Sequence, residues 1–320
     1  MINQHVDMTT VFQMRVFKED GTLKEETAPF RNIILNTGLD LMAKKSGYAS
    51  WIAVGTGNSE PTATQTGLDS LYLFSNIAVG EGSTVVYEPT PVPRYKRTIT
   101  RRCSGFNNTN LTEVSLGYAI NHTGGIAETS QFTSWNRALI KDALGKPTTI
   151  TLLPDEFLEV TAVTYYYPTV SDQKFTVTID DKGSVSTHDV VVRPSELGKT
   201  PRWGLDSEVR PVLQDNSTFE LWNGSIGVIT SKPTGQFLGG TDQWRQSLVA
   251  TNLGYVDGSY KRVGHIHCPL DSGNGNTTAM FIETTLGCYQ ASITPAVTKN
   301  NQQVMGIEIT LSWGRYEGAL

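Results

Sequence analysis

Residues 150–193 read ITLLPDEFLEVTAVTYYYPTVSDQKFTVTIDDKGSVSTHDVVVR. Between Phe157 and Tyr167 the run is β-branched and aromatic and alternates with a period of two, the pattern of a strand with one face in a core. Pro168 closes it, and two further alternating runs, "KFTVTID" and "HDVVVR", follow around the turn Asp181-Lys182-Gly183. No helical period separates them. Strands this close in sequence pair antiparallel, which points to a sandwich rather than to βαβ units.

The same texture extends both ways. Upstream lie "RYKRTITRRC" (94–103), "LTEVSLGYAI" (111–120) and "PTTITLLP" (147–154), and the chain opens with "TTVFQMRVFKEDGTLKEE" (9–26), a strand and a hairpin turn at Glu19-Asp20-Gly21. Downstream, "FELWNGSIGVITS" (219–231), "TTAMFIET" (277–284) and "QVMGIEITLSWGRY" (303–316) resume it. "VVYEPTPVP" (85–93) carries three prolines and reads as an edge strand or extended connector. One short helix is expected in "NTGLDLMAKKSG" (36–47), with Asn36 or Thr37 as N-cap, Leu39, Met42 and Ala43 on one face, and Gly47 as the stop. The alternation lapses in "PSELGKTPRWGLDSEVRP" (194–211). The expected fold is all-β: two antiparallel β-sandwich-like modules with one short N-terminal helix, residues 1–168 and 201–320, with 169–200 supplying strands and a connecting segment. "LPDEFLEVTAVTYYY" (153–167) and "NNQQVMGIEITLSWG" (300–314) echo each other as a polar turn before a long aromatic-tipped strand.

Charged residues make up 18% of the 320, with a net charge of -5, so no global positive field draws in nucleic acid or an anionic membrane. No stretch reaches the roughly 18 apolar residues of a spanning helix, and the start lacks the pattern of a secretory signal, so the chain is expected to fold in the cytoplasm or to leave it by a route that needs no signal. Cys103, Cys268 and Cys288 are widely spaced and read as reduced, buried thiols.

Few motifs carry chemistry. Gly55-Thr56-Gly57 follows a strand, but a dinucleotide fingerprint would place a third glycine where Glu60 stands, and Pro61 and a Thr-rich tail replace the helix, so it reads as a strand ending in a turn. His265 and His267 share a strand face and Cys268 points away; with no third ligand at a recognisable spacing, no metal is expected. Arg94, Lys96, Arg97, Arg101 and Arg102 divide between two faces of one strand, which suits an interface better than a phosphate track. Asp155-Glu156 and Asp180-Asp181 read as hairpin tips, and Gly224-Ser225-Ile226-Gly227 has the wrong spacing for a nucleophile elbow. No cofactor and no catalytic residue is expected.

Several phrases carry a resemblance. "PFRNIILNTGLDLMAKKSG" (29–47) with "IAVGTGNSEPTATQTGL" (52–68), "NLTEVSLGYA" (110–119) with "NRALIKDALGKPTTITLLPDEFLEVTAVTYYYP" (136–168), and the terminal "ITLSWGRY" (309–316) resemble structural proteins of tailed bacteriophages, in particular small tail-associated, fibre-like or appendage proteins. Residues 170–290 are not part of the likeness. It implies a non-enzymatic tail fibre, tail appendage or collar/adaptor protein, located in the virion, a homo-oligomer contacting other tail or neck proteins, with residues 30–68 as the attachment region. Without a heptad run or β-helix repeat, a compact part fits better than a long shaft. One alternative is a receptor- or glycan-binding tip whose aromatics, among Trp203, Trp222, Trp244 and Tyr255, stack on sugar rings or a host receptor. The other is a polysaccharide-degrading enzyme with carboxylates gathered from distant loops.

Overall fold

The computed structural model describes residues 2–120, 132–181, 183–199, 210–213, 218–241 and 249–319. It is all-β, with sheets stacked as in sandwiches and none closed into a barrel. A single helix, Asn36–Lys44, stands among the described residues.

The largest sheet is organised around the first strand, Ile2–Lys18. In spatial order it runs Val249–Asn252, Lys261–Cys268, Met305–Arg315, Ile2–Lys18, Glu156–Pro168, Arg94–Cys103 and Ile77–Glu88, with Leu23–Glu26 and Phe30–Arg31 also pairing on the first strand. The two echoing segments thus flank the same strand, Glu156–Pro168 antiparallel and Met305–Arg315 parallel. A second sheet orders Ile33–Ile34, Asn136–Leu139, Glu113–Ala119, Trp51–Gly55 and Leu71–Ser75, with Phe132–Ser134 on Glu113–Ala119. The third orders Gln173–Asp181, Ser184–Pro194, Gly287–Lys299, Gly275–Thr284, Phe219–Ser225 and Thr234–Thr241.

The sheets do not divide where composition shifts. Met305–Arg315, with Val249–Asn252 and Lys261–Cys268, belongs to the sheet of residues 2–18, and the strands within 173–194 belong to the sheet of Phe219–Ser225, Thr234–Thr241, Gly275–Thr284 and Gly287–Lys299. One apolar core joins these three sheets and the two-stranded pair Thr109–Leu111 with Ile150–Leu152, for example through Phe12 and Met14, Ile52 and Leu116, Met280 and Ala291, and Leu111 and Ile150. The connecting segment is packed where it is described: Ser195 and Leu197 are buried.

Alternation sets the faces. In Arg94–Cys103, Tyr95, Arg97, Ile99 and Arg101 point inward and are buried, while Arg94, Lys96 and Arg102 are half-buried on the outer face, so the basic run is split as its spacing predicts. Trp51–Gly55 is buried on both faces: Ile52 and Val54 enter the main core, and Trp51 and Ala53 join a smaller cluster with Phe74 and Ala119.

Two local readings change. The N-cap position falls on Leu35, in extended conformation, whose apolar side chain has no acceptor to offer, and the Leu35 and Asn36 N–H groups donate to Trp135 O and Ala63 O at 3.0 and 2.8 Å. The helix then ends at Lys44, before Gly47. The strand expected over residues 219–231 stops at Ser225, since the Gln290 side chain captures the next turn. Gly227 N–H donates to its Oε1 at 2.7 Å, and its Nε2 donates to Gly227 O and Val228 O at 3.1 and 3.0 Å.

Candidate functional site

The segment of residues 55–70 carries the most distinctive phrase of the sequence, and its geometry is that of a loop tied down from beneath. Glu113, at the start of Glu113–Ala119, and Arg137, in Asn136–Leu139, lie under it with both side chains 0% exposed. Glu113 Oε1 accepts from Gly57 N and Ser70 N at 2.9 Å each. Its Oε2 accepts from Asp69 N at 3.1 Å and from Arg137 Nε at 2.8 Å. Arg137 spends its remaining donors on the same loop: Nη1 to Ser59 Oγ at 3.1 Å and Gln65 Oε1 at 2.7 Å, and Nη2 to Asp69 Oδ2 at 2.7 Å.

Gly55-Thr56-Gly57 thus ends the strand Trp51–Gly55 in a turn, as its spacing predicts, and the Gly57 N–H joins those of Asp69 and Ser70 in holding the Glu113 carboxyl group. A Cβ at Gly55 or Gly57 would collide with the Glu113 side chain, so glycine is required by close approach. Burial acts to raise the Asp69 pKa, but the Ser59 hydrogen bonds and the Arg137 guanidinium outweigh it and hold the group below the usual carboxylate range. The polar, proline-bearing loop is thereby fixed without an apolar core of its own, and its outer residues Asn58, Ser59 and Glu60 face solvent.

A second feature is the half-buried outer face of the large sheet. Arg15, Glu159 and Arg102 lie in register across three strands, with Glu159 accepting from Arg15 at 3.2 Å and from Arg102 at 2.8 Å. Phe17 stacks on Phe157 with centroids 5.3 Å apart, and the Arg102 guanidinium sits 4.3 Å over Phe157. Toward the far end Arg94 donates to Glu88 at 2.7 Å and lies 4.3 Å over Tyr165, and Tyr167 stacks on Tyr316 at 3.6 Å. Aromatic, arginine-rich surfaces with satisfied charges are the composition of protein contacts.

On that face Ser312, His5 and Asp7 form a line that sequence reading missed, because His5 and Ser312 are 307 residues apart. Ser312 Oγ is 2.8 Å from His5 Nδ1, and His5 Nε2 is 2.9 Å from Asp7 Oδ1. Ser312 Oγ also lies 3.1 Å from Gln4 O, so its hydroxyl has a backbone acceptor within reach besides the imidazole. Asp7 is 37% exposed, unlike the buried orienting carboxylate of a hydrolytic triad. This is a cross-strand polar ladder between register partners.

Of the four aromatics expected to touch a glycan, Trp222 and Tyr255 are in the described part of the chain. Trp203 and Trp244 lie outside the described residues. Trp222 is half-buried, edge-on to Phe237 with centroids 5.5 Å apart, and donates from its indole N–H to Glu220 at 3.2 Å. Tyr255 works as an internal strut: its ring stacks on Trp313 at 5.8 Å and its hydroxyl donates to Asp40 of the helix at 2.5 Å. Burial, with the Asp40 carboxylate beside it, pushes its pKa up. His265 and His267 are both exposed on one face with Cys268 buried on the other, and His265 meets Glu308 at 3.1 Å. No group of three metal-ligating side chains occurs among the described residues, and no described helix is long and apolar enough to cross a membrane.

Comparison with protein-family models, with curated proteins and with solved structures finds no match to this chain.

Proposed function

We propose that the chain is a non-enzymatic structural component of a tailed-bacteriophage particle, a compact tail fibre, tail appendage or collar/adaptor protein that assembles as a homo-oligomer. The observation that carries the reading is the buried Glu113–Arg137 clamp, which turns the polar loop of residues 57–70 into a rigid, solvent-facing projection. A subunit that must repeat the same contact in every copy needs such a preformed surface, because ordering a loose loop at each contact would cost binding energy. The outer face of the large sheet supplies further contact area of suitable composition.

Mass spectrometry of washed, gradient-purified particles tests this. The chain is expected at fixed stoichiometry with the other tail proteins, and its absence from washed virions would overturn the proposal.

One observation favours the receptor- or glycan-binding alternative: Trp222 and Phe237, the latter 39% exposed, adjoin the Glu220–Lys232 ion pair on the third sheet. A glycan array probed with the wild type and with Trp222→Ala decides it, through signals that depend on the indole.

A further inference from the structure

Lysine is rarely buried without a paired charge. Lys299, the last residue of Gly287–Lys299, is 3% exposed, and among the described residues it forms no ion pair. Its side-chain nitrogen meets only neutral acceptors: Asn274 Oδ1 at 2.8 Å, Leu270 O at 3.3 Å and Asn300 O at 3.4 Å. Burial pushes its pKa down, and Cys268 and Asp271 nearby only partly offset that, so the free amine is reached more readily than in a solvated lysine.

Strand pairing sets the contact. Gly275 and Lys299 are register partners at the open end of the hairpin made by Gly275–Thr284 and Gly287–Lys299, so Asn274, one residue earlier, is carried up to the lysine. Thr298 Oγ1, donating to Asn276 Oδ1 at 2.8 Å, fastens the same end. The partners of the Asn274 amide fix its orientation. Lys299 can only donate, so Oδ1 faces it, and Nδ2 donates to Leu270 O at 3.1 Å. Leu270 O thus accepts from both nitrogens, which holds a primary amine and the amide nitrogen it could displace against one carbonyl. An amine and a carboxamide carbon held together in this way are the reactants of an acyl transfer, and their fixed geometry replaces the encounter that makes the exchange negligible between free molecules.

We propose that Lys299 and Asn274 join in an intramolecular isopeptide bond. Lys299 Nζ, as the free amine, adds to Asn274 Cγ. The Cγ–Nδ2 bond then breaks, and Nδ2 leaves as ammonia with the proton that Nζ gives up. No oxidant or second substrate enters the balance. Gly275–Thr284 and Gly287–Lys299 are the two central strands of the third sheet, already joined at one end by the turn between Thr284 and Gly287, and the new bond closes the other end. A hairpin closed at both ends cannot peel apart from either. The bond is independent of the particle reading, since it follows from one side-chain contact.

Intact-mass spectrometry of the purified full chain, after incubation at neutral pH, tests this. The mass is expected to fall short of the sequence mass by one ammonia, and a tryptic digest should contain a branched peptide joining the Asn274 and Lys299 segments. Lys299→Arg and Asn274→Ala should each show the full mass of their own sequences. Asn274 precedes Gly275, a pair prone to succinimide formation, which releases the same ammonia. A deficit that persists in Lys299→Arg, with no branched peptide in the wild type, would mark that succinimide and overturn the crosslink. A wild-type chain at its full sequence mass would overturn it as well. Should either variant fold poorly, the presence or absence of the branched peptide in the wild type decides the matter by itself.

Discussion

At the scale of single residues, Glu113 and Arg137 show how a buried charge pair can be worth more than its Coulombic attraction. Truncating one member of a buried pair leaves the other uncompensated, so Glu113→Ala and Arg137→Ala are each expected to cost about 3–5 kcal/mol in denaturant unfolding. Replacing both members by apolar residues is often harmless elsewhere. Here Glu113 also satisfies the N–H groups of Gly57, Asp69 and Ser70, so Glu113→Leu with Arg137→Met should stay destabilised, and recovery to wild-type stability would refute the clamp. Asp69 and Glu156 contribute to the acid limit, beside the exposed Asp20, whose carboxyl the Thr22 hydrogen bonds hold low. Burial alone would raise Asp69 and Glu156, but the Ser59 and Arg137 bonds in the first, and the Lys24 and Leu153 N–H bonds in the second, lower both. A folded-state pKa below the unfolded value adds stability that is present above the unfolded value and lost as pH falls through the folded one. Melting temperature should therefore fall as pH drops below about 4, and Asp69→Asn or Glu156→Gln should flatten that slope while lowering the melting temperature at neutral pH. The signal for this clamp was present in the sequence as a lone glutamate opening "EVSLGYA" and a lone arginine in "NRAL", both inside otherwise uncharged strands. That the two meet beneath one loop could not be read, because strand pairing is non-local.

At the scale of elements, close approach overrides intrinsic propensity. Alanine exceeds glycine by about 1 kcal/mol in an exposed helix interior, yet Gly38→Ala is expected to destabilise by about 1–3 kcal/mol, the range for overpacking, because a Cβ there would collide with the Trp135 backbone. A raised melting temperature for Gly38→Ala would show that the helix can shift away. The helix is braced further by the Trp313 indole N–H donating to Leu39 O at 2.9 Å. Its existence and buried face were legible from the spacing of Leu39, Met42 and Ala43; its start at Leu35 was not, since the carbonyls that take the Leu35 and Asn36 N–H groups, Trp135 O and Ala63 O, come from distant parts of the chain.

At the scale of the molecule, the first strand lies mid-sheet between Glu156–Pro168 and Met305–Arg315, so the two ends of the chain stabilise each other. Residues 1–168 expressed alone are expected to lack a cooperative melt, whereas the full chain should unfold in one calorimetric transition through its shared core. A folded 1–168 fragment would contradict this. For the same reason, loss of particle incorporation on deleting residues 1–68 would report lost folding, and point changes at exposed Asn58 or Glu60 are the cleaner probe of attachment. By itself the sequence determined the all-β class, many of the strands, the split of the basic run and the hairpin turn at Glu19-Asp20-Gly21, because a period of two and turn chemistry are properties of adjacent residues. The tip expected at Asp155-Glu156 is no hairpin, since Ile150–Leu152 and Glu156–Pro168 pair with other strands. Only the tertiary structure decided that the last strand joins the first, that Glu113 lies beneath the glycine turn, and that Ser312 meets His5. Those outcomes depend on which distant strands bury their apolar faces together, and the free energy that selects among such pairings is shared by the whole core and carried by no single segment.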